Sequence, residues 1–172
     1  GELFVNSTRS KNSSLGFHYK HLSASPDLVG VGSGGYSDNL ASLYGKLFVD
    51  RNVFTADLNY NRNVIHYYGY DKNDTLIPKD DTRQRFGNFN IGVGLASNNL
   101  NSKEYIDYKA RIEYNNLADL FEATEDNFRI DGMAGKYLRD KYIGVDAYYD
   151  YNRNDAVSYT KSHSVFSFSP TA

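Results

Sequence analysis

A chain of 172 residues with a formal net charge of −2 fits a single domain spanning 1–172, and neither sign of charge is strong enough to argue for nucleic acid as a partner. The absence of cysteine removes disulfide frameworks, thiolate catalysis and Cys-based zinc sites together. No run approaches the ~20 apolar residues of a membrane helix; this excludes helical spans only, because a barrel strand needs ~9–11 residues with alternate ones apolar. The aromatic content, 16 Tyr and 10 Phe with no Trp, suits strands and positions that are apolar on one side and wet at the tip.

In chain order the alternation predicts nine strands, at 2–8, 14–23, 40–49, 53–61, 86–96, 104–114, 127–138, 142–151 and 162–168. The first two are joined by 9–13 and followed by 24–39, which holds the glycine-rich run Gly30-Val31-Gly32-Ser33-Gly34-Gly35. Next comes a hairpin, Gly45-Lys46-Leu47-Phe48-Val49, a charged turn at 50–52, and Val53 to Tyr60, leaving through Asn61-Arg62-Asn63. A long connection, 62–85, carries Asp71-Lys72-Asn73-Asp74. Strands 86–96 and 104–114 follow, then 115–126, where Leu117 to Ala123 is the best helix candidate, about two turns within a loop. A second hairpin repeats the first: Gly135-Lys136-Tyr137-Leu138, a turn at 139–141, Tyr142 to Tyr151, and the exit Asn152-Arg153-Asn154.

Within each strand one face is apolar and the other polar, as successive side chains point to opposite sides. Leu58, Ile91, Val93, Ile112, Val145 and Ala147 are predicted to share one face. Asp57, Asn90, Arg111 and Asp146 are predicted to share the other. The row Asp107, Lys109, Arg111, Glu113 makes that second face wet, since unpaired charge in a dry core is costly. Together, Asp57, Asn90, Asp107, Lys109, Arg111, Glu113 and Asp146 are the candidate lumen-facing residues. Tyr60, Tyr108, Tyr114, Tyr149 and Tyr151 suit an interfacial girdle. The even-numbered connections read as the long ones, the asymmetry of outer-membrane barrels with short periplasmic turns and long outside loops. An antiparallel sheet packed on one side of a soluble core gives the same alternation. Accessibility separates the two: without lipid a barrel's apolar set stands exposed, whereas a sandwich buries it. A polar set more buried than the apolar one would make the face assignment wrong.

No pattern points to catalysis. His18 and His21, three apart on a strand, fall on opposite faces and cannot share a metal; His66 and His163 lie elsewhere. Asp71-Lys72-Asn73-Asp74 lacks the glycine and distal glutamate of a calcium loop, and no Gly-Lys-Ser/Thr follows the glycine run to hold a phosphate. Asp107 and Glu113 lie ~20 Å apart along one strand, beyond either glycosidase geometry, so a salt-bridge ladder is the better reading. No cofactor is implied, and the basic residues form no aromatic-interleaved patch for nucleic acid.

The runs Glu2-Leu3-Phe4-Val5-Asn6-Ser7-Thr8-Arg9-Ser10-Lys11-Asn12, Gly16 to Ser23, Leu43-Tyr44-Gly45-Lys46 and Tyr60 to Tyr70 resemble outer-membrane barrel proteins of Bacteroidetes labelled TonB-dependent-receptor-like. The resemblance covers about the first seventy residues and continues in style beyond them. It implies an outer-membrane location, lipid as a partner, and solute uptake or a structural role without bond-making chemistry. A plug domain and an energy-coupling box are not visible, and a transporter barrel of this kind needs about 22 strands. With an odd strand count and the ending Phe168-Ser169-Pro170-Thr171-Ala172, the expectation is a segment whose edges pair with the rest of a larger barrel or a second copy, ahead of a complete eight-stranded barrel, which the length also allows. The reading is thus an all-β, antiparallel up-and-down meander of an outer-membrane barrel. The alternative is a soluble β-sandwich or barrel that binds a ligand or glycan through Tyr- and Asn-rich loops.

Overall fold

The computed structural model describes residues 1–7, 10–26, 34–67, 71, 78–98 and 104–171. Nine strands form one antiparallel sheet in strictly sequential order. They are β1 (Glu2–Ser7), β2 (Ser13–Ala24), β3 (Tyr36–Val49), β4 (Asn52–His66), β5 (Arg83–Ser97), β6 (Asp107–Asp119), β7 (Thr124–Leu138), β8 (Lys141–Ala156) and β9 (Tyr159–Thr171). The sheet is open, because β1 and β9 each have a neighbour on one side only. The up-and-down meander is therefore as the alternation predicts.

Both repeated hairpins form, with two-residue turns at Asp50-Arg51 and Arg139-Asp140. The first residue of each turn has positive φ, 51° at Asp50 and 60° at Arg139. Aspartate tolerates that region through local hydrogen bonding of its short side chain, whereas arginine takes the full Cβ clash.

Three expectations are corrected. Asn61-Arg62-Asn63 and Asn152-Arg153-Asn154 are not exits from the sheet, since β4 runs on to His66 and β8 to Ala156. The stretch Leu117 to Ala123 is not helical: its first part closes β6 and the rest turns into β7. A short 3-10 turn at Lys79–Thr82 is the one helical element among the described residues. Third, the alternation of connection lengths holds only for the first half, where 25–35 and 67–82 are long. Further on, 120–123 and 157–158 are tight, and 98–106, on the opposite end, is longer than either. Asparagine, aspartate and arginine read as loop residues by propensity, yet at the end of β8 Asn152 sits in the ladder and donates across the pair to Glu125. Residues 30–33 of the glycine-rich run and 72–74 of the acidic turn lie outside the described residues.

The register fixes the faces. Leu58 stands opposite Ile91, Ala56 opposite Val93, Val93 opposite Ile112, Ile112 opposite Ile130, and Ala147 opposite Phe168. Val145 pairs with Ala134, which pairs with Tyr108, on the same side. Asp57, Asn90, Arg111 and Asp146 occupy the other side, with alternate residues of each strand between the two sets. The predicted partition is thus what the ladder contains.

Exposure ranks the faces the opposite way from a sheet packed on a core. Leu58 is 37% exposed, Ile91 39%, Val93 48% and Ile112 44%, while Asp57, Asn90 and Arg111 are half-buried. Near the β9 edge the contrast fades, with Asp146 exposed and Val145 half-buried. By accessibility the face assignment fails its test, whereas the register, which defines a face, keeps each set on its own side. Val64 is the one buried large hydrophobic among the described residues, so the sheet has no apolar core of its own.

Candidate functional site

The polar face carries two cross-strand rows that run through the middle of the sheet. One contains Tyr44, Asp57, Gly92, Glu113, Arg129 and Asp150, on β3 to β8 in register. The next contains Ser42, Asn59, Asn90, Asn115, Asn127, Asn152 and His163, on β3 to β9. Five consecutive strands, β4 to β8, thus present asparagine at the same level. Asn61 and Asn88 stand opposite each other one level further along.

The charged row is compensated by Arg111 from the neighbouring row and by its own Arg129. Arg111 Nη2 donates to Asp57 Oδ1 at 2.8 Å and to Glu113 Oε1 at 2.7 Å. Arg129 Nε donates to Asp150 Oδ2 at 3.2 Å, and the Tyr148 hydroxyl donates to the same carboxylate at 2.9 Å. Gly92 makes the first cluster sterically feasible. A Cβ there would collide with the Arg111 guanidinium and press on Asp57, so only glycine lets the arginine lie flat across β5. The Tyr142 ring covers Gly135 in the same manner at the other end of the face.

The asparagine row is only partly used by the protein. Asn59 Nδ2 donates to Asn90 Oδ1 at 3.3 Å, Asn127 Nδ2 to Asp150 at 2.9 Å, and Asn152 Nδ2 to Glu125 at 2.7 Å. Asn61 Oδ1 is buried without a hydrogen-bond partner. A cavity of about 380 Å³ opens over this region, lined by six asparagines with Glu113 and Arg129. Its size falls in the ~300–1,000 Å³ range of small-molecule sites, but its lining is far more polar than most.

All seven candidate residues lie on this face. Asp57, Arg111 and Glu113 meet in the ion cluster, and Asn90 sits in the adjacent asparagine row. Lys109 and Asp146 belong to a second depression of about 320 Å³ that also holds Asp131 and Tyr148. Asp107 stands beyond them, opposite Gly135. Of the ladder expected along Asp107, Lys109, Arg111 and Glu113, the Arg111–Glu113 pair forms along β6, and Arg111 also pairs across strands with Asp57. Sequence reasoning selected one member of the asparagine row and missed the others. The available signal was asparagine at the same face position in each strand from β4 to β8.

On the apolar face His21 contacts Asn39 at 2.7 Å, and on the polar face His18 contacts Glu2 at 2.8 Å, so the two histidines are on opposite sides as the spacing predicts. Among the described residues no group of three or more His, Asp or Glu is placed to hold a metal.

The apolar face has its own order. From Lys141 to Arg153 on β8, the residues on this side are Ile143, Val145, Ala147, Tyr149 and Tyr151. From Asp126 to Lys136 on β7 they are Phe128, Ile130, Gly132 and Ala134. Arg62 on β4 and Arg85 on β5 mark the same border, next to Tyr60 and Phe89. Tyr114, Phe128 and Tyr151 form one cross-strand row just inside it. Of the girdle tyrosines, Tyr60, Tyr114 and Tyr151 gather at this border, Tyr108 lies at the opposite one, and Tyr149 sits a row further in.

Comparison with protein-family models, with characterised proteins and with solved structures finds no match for this chain.

Proposed function

We propose that this chain is part of a bacterial outer-membrane β-barrel of the TonB-dependent-receptor-like kind, with its apolar face in lipid and its polar face lining the lumen. Its role is solute passage or barrel construction, without bond-making chemistry. The observation that carries the reading is the charge-free belt on the apolar face. Lys141 and Arg153 are twelve residues apart and Asp126 and Lys136 ten. At ~3.3 Å per residue and a tilt of ~45°, these intervals correspond to about 28 and 23 Å of height. A lipid-facing barrel band is ~25 Å tall with aromatics at its borders. The belt is continuous across the sheet, whereas soluble monomers rarely leave bare a contiguous apolar patch of more than a few hundred Å². The loop-length asymmetry, confined to the first half, adds little.

Open edges at β1 and β9 support closure by further strands or a second copy, since unpaired ladder groups within a bilayer cost several kcal/mol each. The test is Val145→Ser, measured in detergent micelles and in plain buffer. In lipid or detergent the substitution is tolerated, as the side chain has few protein contacts to lose. A monomeric chain that folds in detergent-free buffer and loses ~1–3 kcal/mol on Val145→Ser would replace this reading with a soluble binding module.

A further inference from the structure

We infer that three arginines at one border of the apolar face, Arg62, Arg83 and Arg85, form a binding site for the phosphate of an anionic lipid headgroup. The inference rests on the reading of this face as lipid-facing.

The register gathers the three cations. Arg62 stands opposite Gly87, Arg85 opposite Val64 and Arg83 opposite His66, so all three belong to the apolar side at one end of β4 and β5. Arg85 lies two residues from Arg83 along its strand, about 7 Å, and about 7–8 Å diagonally from Arg62. Side chains as long as arginine reach a single ion from such positions.

Their charge is uncompensated. All three are half-buried, and none makes an ion pair or a side-chain hydrogen bond with a described residue. Nearby carboxylates are engaged elsewhere. Asp119 Oδ1 accepts from the backbone N–H groups of Phe121 and Ala123, and Asp126 Oδ1 from Tyr114 and Asn116. Asp80 and Asp81, in the turn before β5, pair with none of the three among the described residues. On the polar face, by contrast, Arg111 and Arg129 each bind a carboxylate. Like charges held this close repel one another where water is partly excluded, and an anion from outside the chain relieves that.

A cavity gives the anion its place. About 230 Å³ opens between Arg62 and Arg85, lined by Gly87 and Ala118 and, on the belt side, by Tyr60 and Phe89. That is below the ~300 Å³ at which pockets for whole small molecules begin. It suits a headgroup whose acyl chains run on over the belt. The kind of cation points the same way. At the opposite border the apolar face carries Lys136 and Lys141 instead. Either residue can reach water from a lipid edge, but only the guanidinium fork matches two phosphate oxygens at once.

The test uses the full chain in micelles of a maltoside detergent, which is uncharged and free of phosphate. Short-chain phosphatidic acid, phosphatidylcholine of the same chain length and inorganic phosphate are titrated while the backbone amide resonances of Gly87 and Ala118 are followed. The expected result is a saturable shift with phosphatidate, about tenfold tighter than with either other titrant. It should weaken as salt rises from about 50 to about 500 mM. Arg62→Gln with Arg85→Gln should weaken binding about tenfold, whereas Lys136→Gln with Lys141→Gln, an equal loss of charge at the other border, leaves it unchanged. Should the arginine double variant lose its β-sheet circular dichroism, Arg85→Lys, which keeps the charge and removes the fork, is measured instead and should bind about threefold more weakly. Equal affinity for phosphatidylcholine, wild-type binding by a folded arginine variant, or equal weakening by the lysine pair overturns the inference. A chain that needs detergent to fold yet shows no shift with phosphatidate overturns this site alone. A chain that folds without detergent and binds inorganic phosphate as tightly as phosphatidate overturns both the site and the lipid-facing reading.

Discussion

Asp57 and Leu58 are neighbours in the chain and differ in almost everything the fold does with them. Asp57 is half-buried and bonded to Arg111 from two strands away. Leu58 is 37% exposed and faces outward in a row of Leu43, Ile91, Tyr114 and Phe128. The polar face satisfies itself within the chain through ion pairs, amides and glycines that make room for large neighbours. The apolar face has such bonds at its border, Tyr114 and Asn116 to Asp126 and His21 to Asn39, and its interior is hydrocarbon. Its stabilisation has to come from whatever covers it, so the two faces should respond to substitution through different mechanisms and in different solvents.

The largest expected difference comes from placing charge on the outward face. Val93→Arg should destabilise the chain in lipid vesicles by ~2–4 kcal/mol, measured by urea titration, while Asp146→Arg on the polar side changes stability little. Equal costs for the two would mean that the faces do not see different environments. Next, Arg111→Leu should cost ~1–2 kcal/mol, because Asp57 and Glu113 are left facing each other. Adding Asp57→Asn should recover part of that loss, and the loss should appear in detergent as well as in lipid. If Arg111→Leu is neutral, the ion cluster is not what holds the polar face. The smallest effect is at the turns, outside both faces. Arg139→Gly should stabilise by ~0.5 kcal/mol through relief of positive φ, and Asp50→Gly by less, as aspartate already tolerates that conformation. Thermal melts of the two variants resolve the order.

Much of the architecture is readable from alternation alone. The strand cores, both charged turns and the face of every candidate residue follow from period 2, a signal carried by apolar residues such as Phe54, Ala56 and Leu58. The strand ends are not readable in this way. Asn152, Arg153 and Asn154 look like a loop because propensity weighs each residue alone, whereas Asn154 is held by Asn152 and Asn152 by Glu125 across the pair. The asparagine row is hidden for a related reason. Its members sit at 59, 90, 115, 127 and 152, and only the register brings them to one level. The exposure of Leu58, Ile91, Val93 and Ile112 is what the alternation implies for a barrel without its lipid.

The strictly sequential order has a kinetic side. Every strand pairs only with strands next to it in the chain, and three of the connections are only two residues long. Contacts are therefore local for a β protein, and little loop-closure entropy opposes each added strand. Such a sheet can be laid down one hairpin at a time, with the edge of each finished pair acting as the template for the next. The Asp50-Arg51 and Arg139-Asp140 hairpins are natural starting points for that growth, at two separate places in the chain.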